Sequence, residues 1–181
     1  MTGENSNHTN PPFTSLTSIQ QPLPSSSIDV SFFCEEEEQS MSEVATPKDA
    51  HEVERLHSEI IAWLATTRPD GHPNLAPVWF LWEDPTILIF SQPNKQKLRN
   101  IGQNPHVMLG LETEDRGDDA VMIEGIATII DDPTLTPTLP AYAAKYASNL
   151  EKLGWTAQEM AKAYTVAIRI TPTRFRRLRA S

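Results

Sequence analysis

Three strand-like segments joined by short turns lie in the middle of the chain and constrain its fold more than any other feature. Ile61–Thr67 ends at Arg68-Pro69-Asp70-Gly71, a strong turn signal, and Asn74–Trp82 ends near Pro85. Thr86–Phe90 is the third segment. Because links this short join neighbouring antiparallel strands, the sequence predicts a three-stranded meander.

Helices and further strands follow this meander. The predicted elements are a helix at Asn94–Gly102, a strand at His106–Leu111, a hairpin-type turn at Asp115–Asp119, a long strand at Ala120–Ile130, a helical region at Pro137–Tyr164, and a last strand composed of Val166–Ile170 and Arg174–Leu178 with an interruption at Pro172. Six or so antiparallel strands with helices between them favour a small closed barrel, mainly β with α, over a parallel sheet.

Local signals refine the helices. Asp49 is expected to cap a first helix that runs through Leu64, with Val53, Leu56, Ile60 and Trp63 at helical spacing. In the helix after Asn94, Leu98 and Ile101 are expected to face inward. Gly154 breaks the long helical region, and Thr156 with Glu159 predicts a capping box for its last helix.

The first 47 residues differ in composition from the rest of the chain. They hold seven acids and no Lys or Arg, whereas the other 134 residues carry 17 acids and 15 bases. We therefore expect a disordered, acidic, Pro/Ser-rich tail at 1–47 and a barrel domain at 48–181. A start at Met41 is an alternative, since the segment that follows it resembles an ordinary domain N-terminus.

Several classes of function are disfavoured by composition. The barrel domain is nearly neutral, which gives no argument for nucleic acid. There is no apolar run long enough for a membrane span and no secretory signal, so a cytoplasmic protein is expected. The single cysteine, Cys34, excludes an internal disulfide and a Cys-based zinc cluster, and no metal site is predicted. GxGxxG and GxxxxGK[ST] loops are absent.

The second strand carries the first candidate site. Pro77 inside a strand is tolerated only at an edge or a bulge, and the free N–H and C=O groups of an edge can bind a flat heterocycle. Trp79 and Trp82 are expected to point to opposite faces, so that one of them can form a wall beside Pro77 and Val78. The alternative is that all of these residues belong to the barrel core.

The second candidate site begins where the third strand ends and comprises Ser91, Lys95, Lys97 and Asn100. The free N–H groups and the dipole of a helix start suit a phosphate, and the two lysines add positive charge. Ser91 can donate a hydrogen bond, whereas Arg99 is expected to face solvent. The alternative is that the lysines belong to an ordinary solvated helix face.

Several blocks of sequence, in order, resemble a known family. WLATTRPDGHP, PVWFLW, KLRN, NP, VMIEGIATIIDDP, LGWT and IRITPTRFR are similar to the pyridoxamine 5′-phosphate oxidase-like superfamily of FMN-binding split β-barrels, and most of all to its F420-dependent branch. The resemblance covers residues 55–178. The Arg-rich phosphate strand of true pyridoxamine oxidases is missing, which disfavours a vitamin B6 role.

The resemblance implies a homodimer with two cofactor sites at the subunit interface. It also implies FMN or the deazaflavin coenzyme F420 as ligand, with Lys97 and Lys95 at its phosphate and the backbone around Val78 and Trp79 along its ring. The C-terminal Arg174, Arg176, Arg177 and Arg179 either reach an anionic group or form a solvated chain end.

The function expected from these observations is an F420-dependent oxidoreductase that transfers hydride to a small organic acceptor. The coenzyme carries the chemistry, so no catalytic side chain is assigned. Asp118-Asp119 and Asp131-Asp132 are better interpreted as turn formers. The alternatives are an FMN-dependent oxidase or reductase of the same superfamily and a non-catalytic flavin- or F420-binding protein.

Overall fold

Six strands and four helices occupy the residues that this computed structural model describes, 44–111 and 119–179. The strands are β1 (Ile61–Thr67), β2 (Pro73–Glu83), β3 (Thr86–Ser91), β4 (His106–Leu111), β5 (Asp119–Ile130) and β6 (Val166–Arg179). The helices are α1 (Ala50–Ser58), α2 (Gln96–Gln103), α3 (Pro140–Leu153) and α4 (Ala157–Ala163). The predicted acidic tail up to residue 43 and the predicted turn at 115–118 lie outside the described residues.

The strands close into a barrel in the order β1-β2-β3-β6-β5-β4, and every pairing is antiparallel. β1 completes the circle because it pairs with β2 along one edge and with β4 along the other. The predicted meander and the predicted barrel of about six antiparallel strands are therefore confirmed. None of the helices in the described segments is long and apolar enough to span a membrane.

The barrel interior is filled by the inward-facing residues of each strand. Leu64, Phe80, Ile89, Leu109 and Ile123 are at most 1% exposed. Full burial of side chains of this size stabilises a fold by roughly 1.5–3 kcal/mol each. From α2, Ile101 is buried and Leu98 packs partly buried against the same cluster, so the predicted inner face of this helix is confirmed.

The first helix is shorter than predicted. Asp49 caps it as expected, accepting a 2.9 Å hydrogen bond from the Glu52 N–H, but the helix ends at Ser58 instead of Leu64. Trp63 lies in β1 and is 40% exposed. Ile60 and Trp63 fit a helical period, but residues 61–67 pair with β2 and residues 62–65 also pair with β4, and this pairing outweighs the local pattern.

The last strand is also different, because it is continuous where an interruption at Pro172 was predicted. Gly125 pairs with Pro172 and Glu124 pairs with Arg174, so Thr173 is accommodated as a bulge. A Cβ atom on Gly125 would lie 2.7 Å from Ile170 Cγ2 and 2.8 Å from the Thr171 carbonyl oxygen, so only glycine fits here. Because the bulge lies next to Pro172, the strand continues past this residue even though proline has no N–H group to donate to the ladder.

A second apolar cluster packs α3 and α4 against the outside of β2 and β3. Its buried members include Leu81, Phe90, Tyr142, Tyr146 and Leu150. α3 ends at Gly154 in the left-handed conformation (φ 67°), and Thr156 and Glu159 form the predicted capping box of α4.

Lys145 ties α3 to the C-terminal end of α1. Its Nζ atom donates a 3.2 Å hydrogen bond to the Leu56 carbonyl and lies 4.0 Å from the centre of the Phe80 ring. Burial lowers the pKa of Lys145 from 10.5 to about 8, although the Glu59 carboxylate opposes the shift. The folded state therefore disfavours the charged form of this side chain.

Replacement of Lys145 by Met should change how stability depends on pH. Between the folded pKa of about 8 and the unfolded value of 10.5, the unfolded state binds more protons at Lys145, so the stability of the wild type rises with pH. Urea unfolding at about pH 7.5 and about pH 9.5 should show the free energy of unfolding of the wild type increasing relative to that of Lys145→Met. A constant difference between the two proteins would contradict the lowered pKa.

Candidate functional site

The strand β2 changes its hydrogen-bonded partner partway along its length. Residues Pro73–Trp79 pair with β1, whereas Phe80–Glu83 pair with β3. Beyond Ile89, the chain of β3 pairs with β6 but no longer with β2. One edge of β2 around Pro77 therefore has no strand beside it, and the predicted edge position of this proline is confirmed.

A cavity of about 490 Å³ lies where β2 and β3 separate. Its wall combines the open edge of β2, the end of β3, the start of α2 and the α3–α4 pair: Ile61, Pro77, Val78, Trp79, Phe90, Gln92, Lys95, Lys97, Leu150, Leu153, Trp155, Met160 and Tyr164. Both predicted candidate sites thus meet in one cavity.

Trp79 forms one wall of this cavity. Its ring stacks on Tyr146 with the ring centres 4.4 Å apart and an interplanar angle of 1°. Trp82 points the other way, into the barrel core, where it contacts Phe175 edge-to-face. The prediction that the two tryptophans face opposite sides is confirmed. The Val78 side chain also belongs to the barrel core, so Val78 offers the cavity mainly its backbone.

The positive charge of the cavity comes from Lys95 and Lys97 at the start of α2. Lys95 occupies the N-cap position of the helix and makes no side-chain capping bond, so the first N–H groups are not capped by a side chain. Burial, and secondarily the neighbouring Lys95 ammonium, lower the pKa of Lys97. Among the described residues, no carboxylate lies within 4.0 Å of either ammonium. An anion bound here would offset both the repulsion between the two lysines and the desolvation of Lys97.

Two residues predicted for the site do not reach the cavity. Ser91 is 1% exposed, and its hydroxyl donates a 3.0 Å hydrogen bond to the Gln92 carbonyl. Asn100 is fully buried, donates from Nδ2 to Thr66 Oγ1 at 2.9 Å and accepts from Gln96 Nε2 at 2.7 Å. Their polar groups are therefore engaged within the protein, and the bond from Asn100 to Thr66 connects α2 to β1 of the barrel.

Of the C-terminal arginines, Arg176 and Arg177 are engaged in ion pairs, whereas Arg174 is exposed and has no carboxylate within 4.0 Å in the part of the chain that the structure describes. Arg176 pairs with Glu124 at 2.6 Å, and Arg177 pairs with Asp119 and Asp49 at 2.7 and 3.1 Å. None of these residues lines the cavity. Asp132 accepts hydrogen bonds from the Thr134 N–H and hydroxyl, as expected of a turn former, whereas Asp118 lies outside the described residues.

The α3–α4 wall of the cavity was not predicted. Leu153 and Trp155 flank the Gly154 turn and remain 61% and 41% exposed, while Met160 is buried beneath them. The sequence signals the turn and the helices, but the place where they dock depends on contacts with strands some 70 residues earlier. The hint that the sequence offered is the presence of two large apolar residues, Leu153 and Trp155, on either side of the helix-breaking Gly154.

A closed antiparallel barrel whose cavity joins an open strand edge to a lysine-bearing helix start defines a split β-barrel protein. A comparison of this chain with known protein families agrees with the geometry of the barrel and its cavity. The model of the pyridoxamine 5′-phosphate oxidase family matches residues 49–179, and the chain belongs to this family. The fold of this family binds flavins and related cofactors.

Solved structures show the same fold. A conserved hypothetical protein from Mycobacterium tuberculosis has a TM-score of 0.59 at 25% identity, covering 76% of this chain and 89% of its own. An F420 reductase has a TM-score of 0.52 at 27% identity, covering 68% and 94%. General stress protein 26 from Bacillus anthracis has a TM-score of 0.51 at 24% identity, covering 70% and 95%. No curated protein matches the sequence of this chain.

Replacement of Asn100 by Ala should reduce stability without weakening ligand binding. Loss of the amide leaves the buried Thr66 hydroxyl oxygen without the donor that Asn100 provides, which costs about 1–3 kcal/mol in the free energy of unfolding. Urea unfolding measures this loss, and titration of the folded variant with FMN measures the affinity. Gln103→Ala, an exposed position on the same helix, should change stability by less than about 0.5 kcal/mol. A large loss of FMN affinity in folded Asn100→Ala would instead make Asn100 a ligand-binding residue.

Proposed function

We propose that this chain is a cytoplasmic oxidoreductase that uses the deazaflavin coenzyme F420 to transfer hydride to a small, unsaturated or quinone-like acceptor. The observation that carries the proposal is the cavity in which the open edge of β2 meets Lys95 and Lys97. A flat heterocycle with a phosphate-bearing tail requires a hydrogen-bonding edge and a cationic end at the same time. The cavity volume lies within the range of small-molecule sites, about 300–1,000 Å³.

The residues of the cavity fit such a coenzyme in defined roles. The edge at Pro77–Trp79 provides backbone groups for the ring, and the Trp79 indole forms a flat wall. Lys97 and Lys95, with the N–H groups of α2, provide the positive charge for the phosphate. Leu150, Leu153, Trp155 and Met160 provide an apolar wall on the opposite side.

The side chains of the cavity do not form an acid–base pair. Lys95, Lys97 and Tyr164 are the titratable groups of the described lining, and it contains neither a carboxylate nor a histidine. The bound coenzyme would supply the hydride chemistry, and the protein would orient the reactants and shape the electrostatics.

The sequence blocks shared with the F420-dependent branch and the similarity to an F420 reductase support F420 over FMN as the coenzyme in this proposal. Fluorescence titration of the full-length protein with each ligand tests this order. Tight binding of F420 and weak binding of FMN would support the proposal, and the reverse would assign the chain to an FMN-dependent oxidase or reductase. Tight F420 binding without turnover of any quinone or enone acceptor would indicate a non-catalytic binding protein, and binding of neither ligand would refute the proposal.

The Lys97→Ala variant should bind F420 at least about 1.5 kcal/mol more weakly than the wild type, because a charge-assisted hydrogen bond to the phosphate is lost. Lys162→Ala is the matched control: it removes the same charge from the exposed surface of α4, outside the cavity. Its affinity should stay within about twofold of the wild type. Equal affinities for Lys97→Ala and Lys162→Ala would rule out Lys97 as a phosphate ligand.

We also propose that two copies of the chain form a homodimer with the cofactor sites at the interface. Trp63, Leu75 and Met108 are 40%, 59% and 36% exposed. Ala65 pairs with both Leu75 and Met108, and Trp63 lies two residues before it, so these four residues form one apolar strip on the outside of the barrel. Pro77 pairs with Trp63 and lines the cavity, so a second copy on the strip would lie beside the site.

A Leu75→Glu variant should separate such a dimer into monomers, because a carboxylate within the strip would have to be desolvated on association. Sedimentation velocity of the wild type and the variant measures the oligomeric state. Val53→Glu places the same charge on an exposed residue of α1, away from the strip, and should remain dimeric. A wild type that sediments as a monomer would disprove the dimer.

A further inference from the structure

Tyr146 on α3 places a hydroxyl group at the point where β2 changes partner. The side chain is fully buried, and its oxygen accepts a 2.7 Å hydrogen bond from the Phe80 N–H. The same oxygen lies 2.8 Å from the Phe80 carbonyl oxygen and 3.0 Å from that of Ile60, so its single proton is donated to one or the other. These distances make Tyr146 a hydrogen-bonded link between β2 and the residue before β1.

This hydroxyl takes the place of a neighbouring strand. Pairing of β1 with β2 ends at the Ile61–Trp79 pair, so the next residue of β2, Phe80, has no β1 residue opposite it. On the β1 side, the Tyr146 hydroxyl accepts a hydrogen bond from the Phe80 N–H and lies within hydrogen-bond distance of the Phe80 carbonyl oxygen. Backbone groups of successive strand residues point to alternate edges. The N–H of Trp79 is therefore directed to the other edge, at the point where β3 separates and the cavity lies.

The ring of Tyr146 also supports the side chain of Trp79. The two rings are parallel at 4.4 Å, and the other contacts of Tyr146 include Tyr142, with ring centres 4.6 Å apart. Trp79 lines the cavity, whereas Tyr146 does not. One residue behind the wall thus restrains both the backbone next to Trp79 and the orientation of its indole.

We infer that Tyr146 is a positioning residue for the cofactor ring, which holds the Trp79 edge of β2 in the geometry that a flat heterocycle requires. The inference rests on the proposed function, because it concerns the ring-binding half of the same cavity. Groups that contact a ligand are held in place by residues behind them, and loss of such support loosens the site even though every ligand contact is still present in the sequence.

The chain provides a matched control for Tyr146. Tyr142 lies one turn earlier on α3, is fully buried, and has a hydroxyl without a hydrogen-bond partner among the described residues. Tyr146→Phe and Tyr142→Phe therefore delete the same atom from neighbouring buried sites. Only the first deletion removes the bonds to β2.

The test is titration of the full-length wild type, Tyr146→Phe, Tyr142→Phe and Lys97→Ala with F420 and with its deazaflavin core that lacks the phosphate tail. We expect Tyr146→Phe to weaken binding of both ligands by a similar factor, about tenfold, and Tyr142→Phe to change neither by more than about twofold. Lys97→Ala should weaken binding of F420 alone. A purely structural role would not produce this ring-specific pattern, and it would not shift the absorption band of the bound ring as Tyr146→Phe is expected to do.

Equal affinities and spectra for Tyr146→Phe and Tyr142→Phe would overturn the inference while leaving the proposed function intact. A wild type that binds neither ligand would overturn both. Hydrogen exchange on the wild type gives a second measurement if Tyr146→Phe does not fold. Saturation with F420 should slow exchange of the Trp79 amide, and unchanged exchange there would also overturn the inference.

Discussion

The exchange of partners along β2 is the constraint on which the rest of the structure depends. A strand in a closed barrel ordinarily has a hydrogen-bonded neighbour along each edge. β2 has β1 beside Pro73–Trp79 and β3 beside Phe80–Glu83, and the registers of the two ladders fix the change between Trp79 and Phe80. The barrel can close in this way only by leaving one edge of β2 open, and the cavity occupies that place.

An open strand edge must be protected, since unpaired N–H and C=O groups invite pairing with other chains. Pro77 has no N–H group, so one donor on the open stretch is absent from the start. The Tyr146 hydroxyl satisfies Phe80 at the point where β1 ends, and the stacked rings of Trp79 and Tyr146 cover the outside of the strand. The edge that remains accessible is thereby restricted to a short stretch facing the cavity.

The strands could be predicted from the sequence because strand-like apolar segments are bounded by turn signals. The links between the first three segments are short, so antiparallel neighbours are the simplest arrangement. Pro77 marked the open edge for the same local reason. Features decided by distant partners could not be predicted. Asn100 stands beside Lys97 in the sequence but is bound to Thr66, 34 residues away, and Trp155 reaches the cavity only through the docking of α3 and α4. The sequence up to Trp63 has the spacing of a helix, but the pairing of Trp63 and its neighbours with β2 and β4 outweighs that local preference.

The open edge of β2 and the lysine-bearing start of α2 both reach the cavity because β3 separates from β2. β3 pairs with β2 over its first four residues and then departs, which opens the edge beside Trp79. The same departure carries the chain directly to α2, so Lys95 and Lys97 arrive at the cavity that the open edge creates. A cationic helix start or an open edge alone would each suit many ligands. Because one separation of strands produces both, the cavity suits a molecule that is flat at one end and anionic at the other, and this combination supports the proposed phosphate-bearing coenzyme more strongly than either half could.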